Sequence, residues 1–103
     1  MAEHILKCWP NSYDAIAAGV KCFEWRRDDR GYEVGDVLVL RKWDPGPSSS
    51  GYGTHGYVLA PNPEFRVLSQ YTEQRTRVTY ILRGQFGVPQ DYCVMSIELM
   101  EEK

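Results

Sequence analysis

The sequence predicts an α+β domain, mainly β, in which five or six strands curl into a partly closed barrel with one or two short helices. Its 103 residues suffice for one compact domain. Several short segments alternate apolar and polar residues, as half-buried strands do, whereas a single segment has clear helical features. Closing such a sheet removes the exposed strand edges that favour aggregation, so a partly closed barrel is expected.

The first strand and the helix come first along the chain. Residues 4–8 alternate apolar and polar side chains, and Pro10 stops this strand. Asn11 or Ser12 is suited to cap the N-terminus of an alanine-rich helix. Gly19 suits the left-handed position that follows a helix. The pattern therefore predicts a helix of about two turns.

Alternation predicts the other strands. Between residues 21 and 27 it places Cys22, Glu24 and Arg26 on one face and Phe23 and Trp25 on the other. Further strands are predicted at residues 37–40, 65–68, 75–82 and 93–99. In the last of these, one face is predicted to carry Cys93, Met95, Ile97 and Leu99.

Large aromatic residues are expected mostly in the core. Val78, Tyr80 and Leu82 share one face of their predicted strand, so Tyr80 is expected to be buried, and so is Trp25. Trp9, which precedes Pro10, is the one aromatic residue that is a candidate for the functional site.

A long insertion interrupts the strands at about residues 44–74. Its first part, residues 44–63, is rich in glycine, proline and serine, a composition that does not form a core. Unstructured loops of this length are either functional or disordered, and both interpretations stay open. Residues 1–103 are thus predicted to form a single domain with a loop insertion.

Composition limits the function. The chain has 14 acidic and 12 basic residues, so any affinity for nucleic acid must be local. Three cysteines without a C-x-x-C spacing argue against a disulfide framework and a zinc site, and neither a metal nor a cofactor is expected. Free thiols, together with no apolar leader or long apolar run, predict a cytoplasmic protein with no membrane partner.

Residues 19–26, G-V-K-C-F-E-W-R, resemble the G-x-K-x-x-E-x-R signature of ASCH domains, which belong to the PUA-like superfamily. All four fixed positions match. The flanks are similar to those of a small phage and bacterial branch of that superfamily, at residues 4–10, 28–30, 34–36, 78–82 and 92–97. The resemblance implies a PUA-like barrel whose cleft, beside the helix, faces RNA or a nucleoside through Lys21, Glu24 and Arg26.

The residue types of this signature suit nucleotide binding. Arg26 is able to bind a phosphate or a base edge through its planar fork, and Glu24 to accept a hydrogen bond from a base amino group. Lys21 is able to neutralise a phosphate or to act as a base or nucleophile. The alternative interpretation is an ion pair that only stabilises the sheet.

Other residues near the signature also bear on the function. Trp9 offers a face on which an unstacked base could rest. Arg27 and Arg30 either guide phosphates to the cleft or belong to an ordinary solvated turn. Cys22 has no histidine base nearby and is expected to be buried and inert.

Four functions therefore remain open. The first is recognition of RNA or a modified nucleoside without turnover. The second is a small amidohydrolase that deacylates acylated cytidine with Lys21 and Glu24 as catalytic residues, although related hydrolases have threonine at the position of Glu24. A ribonuclease that uses the same pair is less favoured. The fourth is a phage-type protein-interaction module that makes contact through residues 44–63.

Overall fold

In a computed structural model, residues 1–44, 56–58 and 71–100 are described. The described residues form one helix and six strands, which confirms the predicted mainly β, α+β class. The strands are β1 (Glu3–Cys8), β2 (Phe23–Arg27), β3 (Val37–Asp44), β4 (Gly56–Tyr57), β5 (Glu73–Arg83) and β6 (Tyr92–Leu99), and the helix α1 is Pro10–Ala17.

The strand order is β1-β3-β5-β6-β2, and β4 pairs with the end of β3 outside this path. β1 is parallel to β3, and the other paired strands are antiparallel. β1 and β2 are therefore the two ends of the path. No backbone ladder joins them within the described ranges, so the sheet there is not closed as a barrel.

Two arginine side chains nevertheless reach β1, one from β2 itself and one from the segment that follows β2. The Nη2 of Arg26 donates to the carbonyl oxygen of Lys7 at 2.6 Å, and the Nη1 of Arg30 donates to that of Ile5 at 3.2 Å. Alternate residues of a strand point their carbonyls to the same edge, so Ile5 and Lys7 share the edge opposite β3. The sheet is thus curled enough for arginine side chains to reach the edge of β1. They bind backbone carbonyls that, in a closed barrel, would accept hydrogen bonds from a neighbouring strand.

The core lies between the inner face of this curled sheet and α1. The strand alternation predicted near the C-terminus is confirmed for Cys93, Met95 and Ile97, which are all buried, but it is wrong for Leu99, which is exposed. The core residues are Leu6, Cys8, Ile16, Tyr32, Leu38, Leu40, Val78, Cys93, Met95 and Ile97.

A bulge changes the faces of β5. The register with β6 shifts between Val78 and Tyr80, which leaves one extra residue on β5. As a result Val78 is buried, Tyr80 is 60% exposed, and Ile81 packs against the core. The predictions that Val78, Tyr80 and Leu82 share a face and that Tyr80 is buried are wrong, because the bulge interrupts the period of two.

Glu24 and Arg26 of β2 face inward, whereas its aromatic residues and Arg27 face outward. Glu24 is 2% exposed, whereas Phe23 and Trp25 are 46% and 48% exposed. The predicted alternation is confirmed from Phe23 to Arg26 but not for Cys22, which precedes β2 and is exposed. The expectation that Trp25 packs in the core is wrong. Glu24 lies opposite the buried Met95 of β6, so its carboxylate is at the edge of the core.

The helix begins earlier than predicted. Pro10 occupies its first turn, where a missing N–H costs nothing, and Trp9 is the N-cap without a side-chain hydrogen bond. Neither Asn11 nor Ser12 therefore caps the helix. Among the described residues no helix is both long and apolar enough to span a membrane.

Only part of the predicted insertion at residues 44–74 is described. β3 extends to Asp44 and pairs with β4, and β5 begins at Glu73. The predicted strand at residues 65–68 and most of the proposed contact segment 44–63 lie outside the described residues.

Candidate ligand-binding site

Lys21 is positioned by the turn that ends α1. Gly19 has a φ of 76°, in the left-handed region that glycine adopts without strain. The Gly19 N–H donates to the carbonyl of Ile16 at 3.0 Å, and the Val20 N–H to that of Ala15 at 2.9 Å, which is a Schellman motif. The N–H of Lys21 donates to the same Ala15 carbonyl at 3.1 Å. The backbone of Lys21 is therefore held against the end of the helix.

The structure brings the three charged residues of the signature together. Lys21 Nζ lies 3.3 Å from Glu24 Oε1, and Arg26 Nε lies 2.7 Å from Glu24 Oε2. The Glu24 side chain is 3% exposed, while those of Lys21 and Arg26 are 22% and 24% exposed. The Glu24 carboxylate is thus buried, and the two cations that bind it are partly exposed to solvent.

Ser12 belongs to this cluster, although the sequence indicated only a helix cap. Lys21 Nζ donates to Ser12 Oγ. Because Pro10 starts the helix and Trp9 is its N-cap, Ser12 lies inside the first turns, and its hydroxyl bonds the lysine instead of a backbone amide.

These side chains line a cavity of about 380 Å³ between α1, β1 and β2. A volume of this order is typical of small-molecule sites. The cavity is lined by the polar residues Ser12, Lys21, Glu24 and Arg26 and by all three tryptophans of the chain, Trp9, Trp25 and Trp43. Lys7 and Cys8 of β1 complete the lining. Trp9 is 61% exposed, so its ring is accessible to a ligand.

The two cations retain hydrogen-bond donors. Lys21 uses its ammonium group on Ser12 and Glu24, and an ammonium has three N–H bonds. Arg26 uses its Nε on Glu24 and its Nη2 on Lys7, and a guanidinium has five N–H bonds. Two cations and one carboxylate leave the cluster with a net positive charge, so the cavity is suited to a ligand with acceptor atoms or negative charge.

Cys8 lies on the inner side of the cavity and is 2% exposed. Burial, followed by the nearby charge of Glu24, raises the pKa of the Cys8 thiol to about 11. The thiol is therefore protonated at neutral pH, and Cys8 is not a nucleophile there. Burial also raises the pKa of Cys93, a core residue of β6.

Cys22, in contrast, is exposed, so the expectation that it is buried is wrong. We expect an aromatic disulfide reagent at neutral pH to label one thiol per folded chain rapidly and all three thiols in denaturant. A Cys22→Ser variant should lose the rapid phase. Rapid labelling of a second thiol in the folded protein would contradict the burial of Cys8 and Cys93.

The other two predicted contact residues lie outside the cavity. Arg27 is on the opposite face of β2, with its guanidinium carbon 5.9 Å from the centre of the Tyr92 ring. Arg30 makes the hydrogen bond to Ile5 described above. Of the candidate residues, Trp9, Lys21, Glu24 and Arg26 thus line the cavity, and Arg27 and Arg30 do not.

The described residues contain no group of three or more histidine, cysteine or acidic side chains arranged to hold a metal ion. His4 is engaged in the fold instead. Its Nε2 lies 2.9 Å from Asp36 Oδ2, and its ring stands edge-on to Tyr32 with centroids 4.8 Å apart.

A family model for a domain of unknown function, DUF3850, matches residues 3–97 of the chain. The chain belongs to the DUF3850 family. The matched range contains every residue that lines the cavity, so the cavity is part of the DUF3850 domain. The domain is also similar to the "Uncharacterized 12.9 kDa protein in GpA 3′ region" of Escherichia phage P2, with 40% identity over 43 residues. This similarity covers 42% of the chain and 39% of the phage protein.

Proposed function

We propose that this DUF3850 domain binds RNA or a modified nucleoside by accepting one unstacked base in the cavity. The observation that carries the proposal is that two partly exposed cations and three tryptophans line one cavity. Proteins that recognise unstacked bases combine aromatic faces for stacking with donors for the base edge or phosphate. The cavity has both.

In this proposal the side chains have different roles. Trp9 and Trp25 are the stacking faces, because both are about half exposed or more. Lys21 and Arg26 donate to base carbonyls, ring nitrogens or a phosphate. Glu24 holds the two cations in place, since both of its oxygens are engaged and it is almost completely buried.

We further propose that the domain is a PUA-like relative of the ASCH family and acts in the cytoplasm. The G-x-K-x-x-E-x-R pattern, the curled mainly β sheet and the cavity beside α1 support the relationship. Three free cysteines are compatible with a reducing compartment.

Tryptophan fluorescence tests the binding directly, because all three tryptophans line the cavity. Titration with cytidine, acetylated cytidine, other nucleosides and their monophosphates should give a saturable change. Arg26→Gln should weaken binding about tenfold or more, since a hydrogen bond from a charged group contributes about 1.5–3 kcal/mol.

The adjacent arginine supplies the matched control. Arg27 lies on the opposite face of β2, so Arg27→Gln removes the same charge without touching the cavity. It should leave the affinity unchanged. Equal losses in both variants would point to a nonspecific charge effect, and no saturable change with any nucleoside or nucleotide would reject the proposal.

A second candidate, deacylation of an acylated cytidine, is favoured by the hydrogen bond from Lys21 to Ser12 within the cavity. A lysine beside a serine hydroxyl is a recurrent hydrolytic pair. The reaction would consume one water and release the carboxylic acid and the free cytosine amino group. Turnover of acetylated cytidine that is lost in Ser12→Ala would establish this function, and saturable binding without product would leave the binding function.

A further inference from the structure

A surface of alternating cations and aromatic rings lies beside the cavity, at the end of β3. It consists of Lys7, Arg41, Trp43, Tyr57 and Tyr71, and we call it the β3 strip. Lys7 lies opposite Arg41 in the parallel ladder of β1 and β3, and Trp43 lies opposite Tyr57 in the antiparallel pair of β3 and β4. Residues paired in this way point to the same face, so the strip is continuous.

The cations of the strip are in contact with its rings. Lys7 Nζ lies 4.7 Å from the Trp43 ring centre. The guanidinium carbon of Arg41 lies 4.5 Å and 5.9 Å from the ring centres of Tyr71 and Tyr57. Such cation–π contacts stabilise the basic side chains beside the rings.

Arg41 is able to bind an anion as well. Its Nε donates to Glu73 Oε1 at 3.2 Å, and among the described residues its Nη atoms have no hydrogen-bond partner. Lys7 is exposed and has no carboxylate partner in the described part of the chain. The strip therefore combines hydrogen-bond donors for a phosphate with aromatic faces for a base. Tyr57, one of these aromatic residues, is 38% exposed.

The strip adjoins the candidate site, because Lys7 and Trp43 belong to the strip and also line the cavity. A chain that places one base in the cavity must continue along a neighbouring surface. The opposite face of β3 is different: there Lys42 pairs with Asp14 of α1 at 3.1 Å.

We propose that the β3 strip binds the nucleotide next to the one in the cavity, so that the domain's ligand is single-stranded RNA of at least two nucleotides. This inference rests on the proposed function. The neighbouring base stacks on Trp43 and Tyr57, and its phosphate binds between Lys7 and Arg41. Basic grooves with aromatic platforms bind single strands in this way.

The test compares hexanucleotides with single nucleosides on the same variants. Labelled hexauridylate, hexacytidylate and hexaadenylate are titrated by fluorescence anisotropy, and nucleosides by tryptophan fluorescence. Tyr57→Ala and Arg41→Gln should each weaken hexanucleotide binding about tenfold, as expected for the loss of one stacking or phosphate contact. Arg41→Gln should also reduce the slope of log affinity against log salt concentration by the amount expected for about one phosphate contact. Because Tyr57 and Arg41 do not line the cavity, nucleoside binding should not change.

Lys42→Gln is the matched control, because it removes a positive charge from the neighbouring position on the other face of β3. It should change hexanucleotide affinity less than about twofold. Circular dichroism verifies that each variant is folded, and Arg41→Lys, which keeps the charge, should retain most of the salt dependence.

Three results would overturn the inference in distinguishable ways. Unchanged hexanucleotide affinity in Tyr57→Ala and Arg41→Gln, with nucleoside binding intact, would place the strip outside the interface and leave the cavity as the site. Nucleoside binding without any hexanucleotide binding by the wild type would reject the strip and restrict the ligand to a free nucleoside. If the wild type bound neither nucleosides nor hexanucleotides, the inference and the proposed function would both be rejected.

Discussion

Replacement of Glu24 by glutamine is expected to lower the free energy of unfolding by about 2 kcal/mol and to abolish the proposed nucleoside binding. Loss of one partner of a buried ion pair costs about 3–5 kcal/mol, and the smaller value here reflects the partial exposure of Lys21 and Arg26. Without the carboxylate these two cations repel each other and lose the acceptor that orients them. Urea unfolding at neutral pH measures the stability, and tryptophan fluorescence measures the binding.

Glu98→Gln is the matched control for this effect. Glu98 lies on β6, in the same sheet, but is exposed and has no ion pair in the described part of the chain. Its substitution should change stability by less than about 0.5 kcal/mol. If Glu24→Gln and Glu98→Gln unfolded at the same urea concentration, the view that Glu24 organises the cavity would be untenable.

The second large effect is expected at Asp36, which is 1% exposed. Its carboxylate accepts hydrogen bonds from the backbone amides of Ala2 and Glu33 at 3.0 Å each and from His4 at 2.9 Å. Asp36→Ala leaves these partly buried donors without their acceptor and should cost about 3 kcal/mol of stability, measured by urea unfolding.

The same carboxylate makes stability depend on pH. Burial by itself raises the pKa of Asp36, but the hydrogen bonds from His4, Ala2 and Glu33 outweigh it, and the pKa lies below its ordinary value of 3.8. Such a group stabilises the folded state fully above the ordinary pKa, and the contribution is lost as the pH falls through the lower folded value.

The stability difference between wild type and Asp36→Asn should therefore be constant at neutral pH and shrink below about pH 4. Urea midpoints measured from neutral pH down to acid conditions check this. A difference that grew on acidification would mean that the folded state raises the pKa of Asp36, contrary to the hydrogen bonds described.

Part of the candidate site was predictable from the sequence because its residues lie close together along the chain. The signature at residues 19–26 indicated Lys21, Glu24 and Arg26, and these residues do line one cavity. Ser12, Lys7 and Trp43 were missed. Lys7 and Trp43 reach the cavity through strand pairing, and Ser12 joins it only because the helix begins at Pro10.

The partner groups of Arg30 also could not be predicted. From its residue type and its position near Arg26 and Arg27, Arg30 had two equally supported interpretations: a phosphate contact or a solvent-exposed turn residue. Its observed partner is the Ile5 carbonyl, 25 positions away in sequence, which becomes available because β1 and β2 are edge strands that approach each other.

The sequence by itself determined the local geometry: the left-handed Gly19 after the helix, and the alternation that puts Glu24 and Arg26 on one side of their strand. These features follow from the sterics of a few consecutive residues. Only the tertiary structure decided that the charged side faces inward and that Trp25 and Tyr80 face solvent. Burial depends on where distant strands, a bulge and the helix meet. A buried carboxylate such as that of Glu24 is stable only where the fold places cationic side chains beside it.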